Sequence, residues 1–288
     1  MSTIHIDSGF CRYHIDGLPS DTCYELKLLY GNSYSEEVSE FPDYFLHFDN
    51  TSFFRRFIRP QKVLKIEGER PFNPISPSKA LPSVEWAFNW CIAAFEHQKL
   101  IFHSSVVTKD GRAVIFPAVS GSGKTTLATY LGANGWQMFS DELTIIDLNT
   151  NLVNPLFRPS SLKNESINII ESSCPDGYFS KITRNTHKGD IAHVKLYSYE
   201  QFKIFVKAPI EAVVFPQFKN GSDTNISILS KAEGFAALLR QNFNYDVLGP
   251  EGFKTLAYVT NNSRFYYVEY SDLQDMAALL DEILDGQC

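Results

Sequence analysis

The chain has 288 residues, 44% of them hydrophobic, which suffices for a sizeable core in one large domain or two smaller ones. Its 26 basic and 33 acidic residues leave a net charge of −7, so no global basic field draws it to nucleic acid or to an anionic membrane. The five cysteines, Cys11, Cys23, Cys91, Cys174 and Cys288, form no CxxC pair and no metal-like spacing with histidine, a pattern that fits a reduced cytoplasm. Residues 1–7 carry no basic region ahead of an apolar run, so no signal peptide is expected. The most apolar stretch, residues 86–95, is too short to span a bilayer.

Residues 1–75 are rich in aromatics and short alternating patterns, as at 24–30 and 63–66, and read as a mainly β region. Pro71, Pro74 and Pro77 then punctuate a linker. The expected organisation is therefore a smaller accessory α+β domain over 1–80 and an α/β domain over 81–288. Ser83 is placed to cap a helix over 84–97, with Trp86, Trp90, Ala93 and Ala94 on its inner face. Residues 100–103 and 105–107 suggest a strand, with Gly111 turning the chain into the strand 112–117. A helix follows from Thr126 and stops at Gly135; strands follow at 136–140 and 143–147. Later strands are expected at 192–196, 212–215, 226–229 and 265–270. Capping boxes at Ser230/Glu233 and Ser271/Gln274 open two helices, the last carrying Leu273, Met276, Ala277, Leu280 and Leu284 on a core face. Strands interrupted by so few helices predict a mixed sheet.

Residues 118–126 are the most informative stretch. Gly121 and Gly123 remove Cβ atoms where Ala118-Val119-Ser120-Gly121-Ser122-Gly123-Lys124-Thr125-Thr126 must curl between strand and helix. The first helical turn leaves N–H groups unpaired, and with the helix dipole they make an anion site. Lys124 reaches the β- and γ-phosphates of a nucleotide, and the Thr125 hydroxyl suits Mg²⁺. Ser120, Ser122 and Thr126 complete the phosphate cradle. The pattern G-x-x-x-x-G-K-[ST] is met except at its first position, where Ala118 stands.

The fate of a bound γ-phosphate depends on nearby acids. Asp141 and Glu142 lie 17 residues beyond Lys124 (141 − 124), at the carboxyl end of the next strand, where ligands sit in open α/β sheets. One carboxylate can hold Mg²⁺ and the other can take a proton from an attacking hydroxyl. His103, at the end of an apolar segment expected to pair near the loop strand, is the third piece.

His103, the loop 120–125 and Ser140-Asp141-Glu142, in that order and spacing, resemble the HPr kinase/phosphorylase family, and within it the HprK-related kinase A group. The resemblance covers residues 95–215. It implies the P-loop kinase core shared with phosphoenolpyruvate carboxykinases, and ATP-dependent phosphorylation of a hydroxyl. It implies Asp141 as general base with His103 beside it, Lys124 on the phosphates, and Thr125 and Glu142 on Mg²⁺. The family typically has Asp where Glu142 stands. Its R-G-x-G signature is missing, and Arg158-Pro159-Ser160-Ser161-Leu162-Lys163-Asn164-Glu165-Ser166 occupies its place. Glu165 falls near where the family puts a further metal-linked carboxylate. Related kinases occur beside peptide-maturation genes, which implies a serine of a peptide or small protein as acceptor. The family's hexamers leave a homo-oligomer open.

Transfer also needs a cation on the moving phosphoryl group. Arg158 and His193 are the candidates for phosphate or acceptor, with Lys163, Arg184 and Lys188 behind them; an ordinary surface charge is the competing reading of each. Two other functions fit the loop. A metabolite kinase of the shikimate or gluconate type places acids similarly but begins with its loop, which here starts only at residue 118. A nucleotide-binding regulator without turnover is compatible with Ala118 and Glu142. A transporter-type ATPase is disfavoured: the L-S-G-G-Q signature is absent, and the strand at 211–217 lacks the terminal acids.

Overall fold

A computed structural model describes residues 3–37, 41–52, 58–119 and 121–287. Ser120 and Cys288 lie outside the described residues. In chain order the elements begin with β1 (Thr3–Asp7), β2 (Arg12–Asp16), α1 (Ser20–Tyr30), β3 (Tyr34–Ser35), β4 (Tyr44–Asn50), β5 (Lys62–Ile66) and α2 (Ala80–Phe95). Next come β6 (Lys99–Lys109), β7 (Arg112–Pro117), α3 (Lys124–Ala133), β8 (Gln137–Ser140), β9 (Leu143–Asp147) and β10 (Val153–Asn154). Then follow β11 (Ser160–Lys163), α4 (Glu165–Ser173), β12 (Tyr178–Phe179), β13 (Thr183–Thr186), β14 (Gly189–Lys195) and α5 (Tyr199–Phe202). The chain ends with β15 (Ile210–Phe218), β16 (Asn225–Ile228), α6 (Lys231–Leu239), α7 (Tyr245–Leu248), α8 (Pro250–Asn262), β17 (Arg264–Tyr270) and α9 (Leu273–Leu284).

The chain forms two compact units, 1–94 with 156–204, and 95–155 with 205–288. The expected boundary at residue 80 falls inside the first unit, and 81–288 is shared between the two. Segment 156–204 is what sequence order hides: its strands form their own sheet, β11-β14-β12 with β13 on β14, in the same unit as the N-terminal sheet β3-β1-β2-β4-β5.

In the first unit, β1, β2 and β4 bury alternate residues: Ile4 and Ile6, Tyr13 and Ile15, Leu46 and Phe48. Tyr13 stacks on Phe88 of α2, ring centroids 3.8 Å apart. Residues 24–30, expected as strand, are the second half of α1. The helix buries Thr22, Cys23, Leu26, Leu29 and Tyr30, a three-to-four spacing overlaid on the apparent alternation. The Pro71–Pro77 stretch is not a free linker, because Ile75 exchanges backbone hydrogen bonds with Lys62 of β5 at 2.8 and 2.9 Å. Helix α2 starts at Ala80, and Ser83 lies within it, donating to the Lys79 carbonyl at 2.8 Å. Its buried face carries Leu81, Val84, Ala87, Phe88, Cys91 and Ile92, not Trp86, Trp90, Ala93 and Ala94.

Arg158 is buried in this unit. Its Nη2 donates to Glu85 Oε2 at 2.6 Å and to the Glu85 carbonyl at 2.8 Å, and its Nη1 donates to Asn89. Tyr30 donates to the other Glu85 oxygen at 2.8 Å. Burial and the Glu85 carboxylate push the Tyr30 phenol up, so it stays protonated and donating.

The second unit is built on a mixed sheet of eight strands among the described residues, ordered β10-β9-β6-β7-β15-β17-β16 with β8 also on β6. Strands β7, β15 and β17 are parallel, while β6 runs antiparallel to β7. The strand expected over 100–107 is β6, which is joined to β7 by Asp110-Gly111. Both turn residues have positive φ, 51° and 71°, as a type I′ two-residue hairpin requires. One face packs Phe102, Val106, Ile115, Val213 and Phe265 with Leu238 of α6 and Leu256 and Val259 of α8. Helix α3 packs on β6 and β8, and α9 on β15 and β17. The Ser230 capping box opens α6, but α9 is capped by Asp272, which accepts from Gln274 and Asp275 N–H groups at 2.7 and 3.0 Å. Ser271 instead donates to the Ser222 carbonyl. No helix among the described residues is long and apolar enough to cross a membrane.

Arg158→Leu strands the Glu85 carboxylate in a buried setting and is expected to cost about 3–5 kcal/mol. Thermal denaturation should show a large drop in Tm, with much of it recovered in an Arg158→Leu/Glu85→Leu double variant. An unchanged Tm in the single variant would contradict this role.

Candidate functional site

The site is positioned by β6. Along one edge, Lys99 to His103 pair with β9, and Val106 to Thr108 pair with β8. The turn between those two strands is Asp141-Glu142. Along the other edge, Ser104 to Lys109 pair with β7, ending at Ser104↔Pro117, where the loop begins. Below that point residues 241–243 take over: His103 N–H donates to the Gln241 carbonyl at 2.7 Å, and Phe243 N–H to the Ile101 carbonyl at 3.0 Å. Both edges thus change partner at His103–Ser104. A sheet opens where neighbouring strands diverge, and ligand sites form at such points.

The acidic turn is pinned there by serines. Ser105 Oγ donates to the Asp141 carbonyl at 2.5 Å, and Ser104 N–H to the Glu142 carbonyl at 3.1 Å. Ser140 Oγ accepts from the N–H groups of Glu142 and Leu143 at 3.3 and 3.0 Å. Its hydroxyl thereby closes the turn in place of a ladder bond. Asp141 is buried, 2% exposed, and Glu142 is half-buried.

The loop leaves β7 at Pro117 and enters α3 at Lys124. Gly121 and Gly123 have φ of +91° and +92°, in the region closed to most side chains. Among the described residues a Cβ on Gly121 would meet nothing within 4 Å, so they leave that side of the loop open. A Cβ on Gly123 would lie 2.8 Å from the Tyr270 hydroxyl and 3.1 Å from Phe218 Cβ. Phe218 N–H also holds the Ser122 carbonyl at 3.0 Å. Burial pushes the Tyr270 phenol up, so it remains a neutral floor under the loop. Ser122 is buried, and its hydroxyl has no hydrogen-bond partner among the described residues. Thr125 and Thr126 are half-buried in the first turn of α3.

Lys124 is 7% exposed, and its Nζ lies 3.1 Å from His103 Nε2. An ammonium can only donate, so Nε2 accepts and the imidazole proton resides on Nδ1. The contact aims Lys124 to the point on β6 where loop and acidic turn converge. His103, Lys124, Thr125, Asp141 and Glu142 therefore gather at one end of the second unit.

The remaining expected residues belong to the first unit. Arg158 directs four of its five N–H donors to Glu85 and Asn89 within that unit. His193 is fully buried in β14, opposite Ser161. Glu165 is exposed in the first turn of α4, where a carboxylate favours the helix terminus with or without a metal. Among the described residues no group of three or more His, Cys, Asp or Glu is arranged to hold a metal ion. Mg²⁺ does not require one, since it is commonly held by one or two carboxylates together with nucleotide phosphates. The oxygens of Thr125 and the acidic turn, with the open loop at Gly121, fit that kind of binding.

Several residues that shape the site were missed in the sequence. Ser104 and Ser105 had a signal, two serines inside an otherwise apolar strand. Ser140 had one in its position three residues before the next strand. Gln241, Phe243 and Tyr270 had none, because tertiary contacts alone bring them in.

No family model matches the chain, and no curated protein matches it. Among solved structures it is similar to the Hpr(Ser) kinase/phosphatase from Coxiella burnetii, at 9% identity and a TM-score of 0.29, over 65% of this chain and 95% of that one. A likeness that faint carries no argument about fold or function, which rest on the residues themselves.

Gly123→Ala should damage the loop more than Gly121→Ala. Both incur left-handed strain of about 1–2 kcal/mol, and only the first adds overpacking of about 1–3 kcal/mol. Tyr270→Phe in the Gly123→Ala background should restore part of the lost Tm. Equal losses for the two glycines would show that the Tyr270 contact does not matter.

Proposed function

We propose that the protein is an Mg-ATP-dependent phosphotransferase that carries the γ-phosphate to a hydroxyl, with a serine of a peptide or small protein as acceptor. The observation that carries this reading is the buried Lys124, at the head of α3, held 3.1 Å from His103 on the strand that also pins Asp141. A lysine at the mouth of a glycine loop binds phosphate, and a buried carboxylate on a turn held to the same strand suits proton removal from an attacking oxygen.

The loop and the helix terminus hold the triphosphate. Lys124 neutralises the β- and γ-phosphates, oriented by His103. Asp141 takes the proton of the acceptor hydroxyl while its oxygen bonds to the γ-phosphorus, and the bond to the β-phosphate oxygen breaks to release ADP. Mg²⁺, when bound by Thr125 and Glu142, supplies charge compensation on the phosphate oxygens. Arg158, His193 and Glu165 have no part in this scheme.

The test is transfer of labelled γ-phosphate from Mg-ATP by the purified protein, in lysate from its own source. Asp141→Asn is expected to lose roughly 10²–10⁴-fold in transfer while still binding nucleotide. Lys124→Ala is expected to weaken both. Full activity in Asp141→Asn contradicts the base assignment. Label confined to a small molecule would make the acceptor a metabolite, and binding without transfer would make the protein a nucleotide sensor.

A further inference from the structure

Phe243 lies at the site with an unusual combination of properties. Its backbone is fixed to β6: its N–H donates to the Ile101 carbonyl, and the next residue, buried Asn244, accepts from Ile101 N–H at 3.1 Å. Asn244 also donates to the carbonyls of Lys99 and Glu96 at 2.7 and 2.9 Å. Asn242 Oδ1 accepts from Asn244 and Tyr245 N–H groups. A segment held this firmly nevertheless presents a phenylalanine that is 47% exposed. Its ring centroid stands 5.9 Å from that of His103.

An exposed apolar residue alone means little. The neighbours of Phe243 give this one meaning. Both Phe243 and Lys124 lie against His103, and Lys124 on the reading above sits at the β- and γ-phosphates. The nucleotide base hangs from the opposite end of the triphosphate. Phe243 therefore flanks the phosphoryl-donating end, where the acceptor hydroxyl must arrive in line with the bond that breaks. A rigid aromatic wall at that place recognises an apolar neighbour of the hydroxyl at small entropic cost.

We propose that Phe243 is a specificity-determining residue that packs against an apolar side chain next to the phosphorylated serine. The acceptor is then a polypeptide segment with an apolar residue flanking its serine. This inference rests on the phosphotransferase reading and deepens it.

The test uses the full chain, γ-labelled Mg-ATP and an array of serine peptides in which each flanking position carries apolar or polar residues. Wild type is expected to favour an apolar flank roughly tenfold or more, the size of discrimination an apolar contact can give. Phe243→Ala is expected to lose that preference through a raised KM for the apolar-flanked peptides, and Phe243→Leu to keep it. Retention of the preference in Phe243→Ala overturns the inference. So does a loss confined to Mg-ATP affinity, which would make the ring a base-stacking platform. Labelled peptides without any flank preference overturn the inference alone, whereas no labelled peptide from wild type overturns the underlying function as well.

Discussion

The change of partners along β6 is the constraint on which the site depends. A strand of eleven residues is longer than any single neighbour here, so each of its edges is shared. β9 and β8 divide one edge, and segment 241–243 and β7 divide the other. Both divisions fall at His103–Ser104. An acidic turn, a glycine loop and an aromatic segment are thereby delivered to one place without any of them being adjacent in sequence. Backbone groups that lose a ladder partner at such a junction must find another. The Ser105 and Ser140 hydroxyls supply substitutes, one from β6 and one from β8.

Charge follows from that geometry. Lys124 and Asp141 are both buried, an arrangement that is unfavourable unless ionisable groups meet partners or ligands of complementary chemistry. His103 accepts from the lysine and so fixes its direction. The loop is shaped from beneath by Tyr270 and Phe218, at the ends of β17 and β15, and stays open above Gly121. Parallel strands thus set the floor of the cradle, while the antiparallel β6 sets its wall. The first unit has its own buried ionic centre, Arg158–Glu85–Tyr30.

Much of this was legible in the sequence where local chemistry decides the outcome. The glycine loop, the Asp-Gly turn, the strands around it and the Asp141-Glu142 turn are written in short-range patterns, and the Ser230 capping box formed as expected. Where tertiary packing decides, the sequence was ambiguous. Residues 24–30 alternate well enough for a strand, but Leu26, Leu29 and Tyr30 share a helix face once a core is present. The phase of α2 was misjudged because tryptophans suggest burial, whereas Trp86 and Trp90 stay half-buried and smaller residues face inward. Arg158 reads from sequence as a phosphate candidate or a surface charge because its partner, Glu85, lies 73 residues away. The contribution of 156–204 to the first unit is equally non-local.

The central claim is that the junction on β6 binds the phosphates of a nucleotide between Lys124 and Asp141. The direct measurement is a crystal structure of the protein with Mg²⁺ and a non-hydrolysable ATP analogue. The account predicts the terminal phosphate within hydrogen-bonding reach of Lys124 Nζ, with the Asp141 carboxylate facing it and the loop at Gly121 wrapped around the phosphate chain. An analogue bound away from Lys124, or failing to bind at saturating concentration, would contradict it.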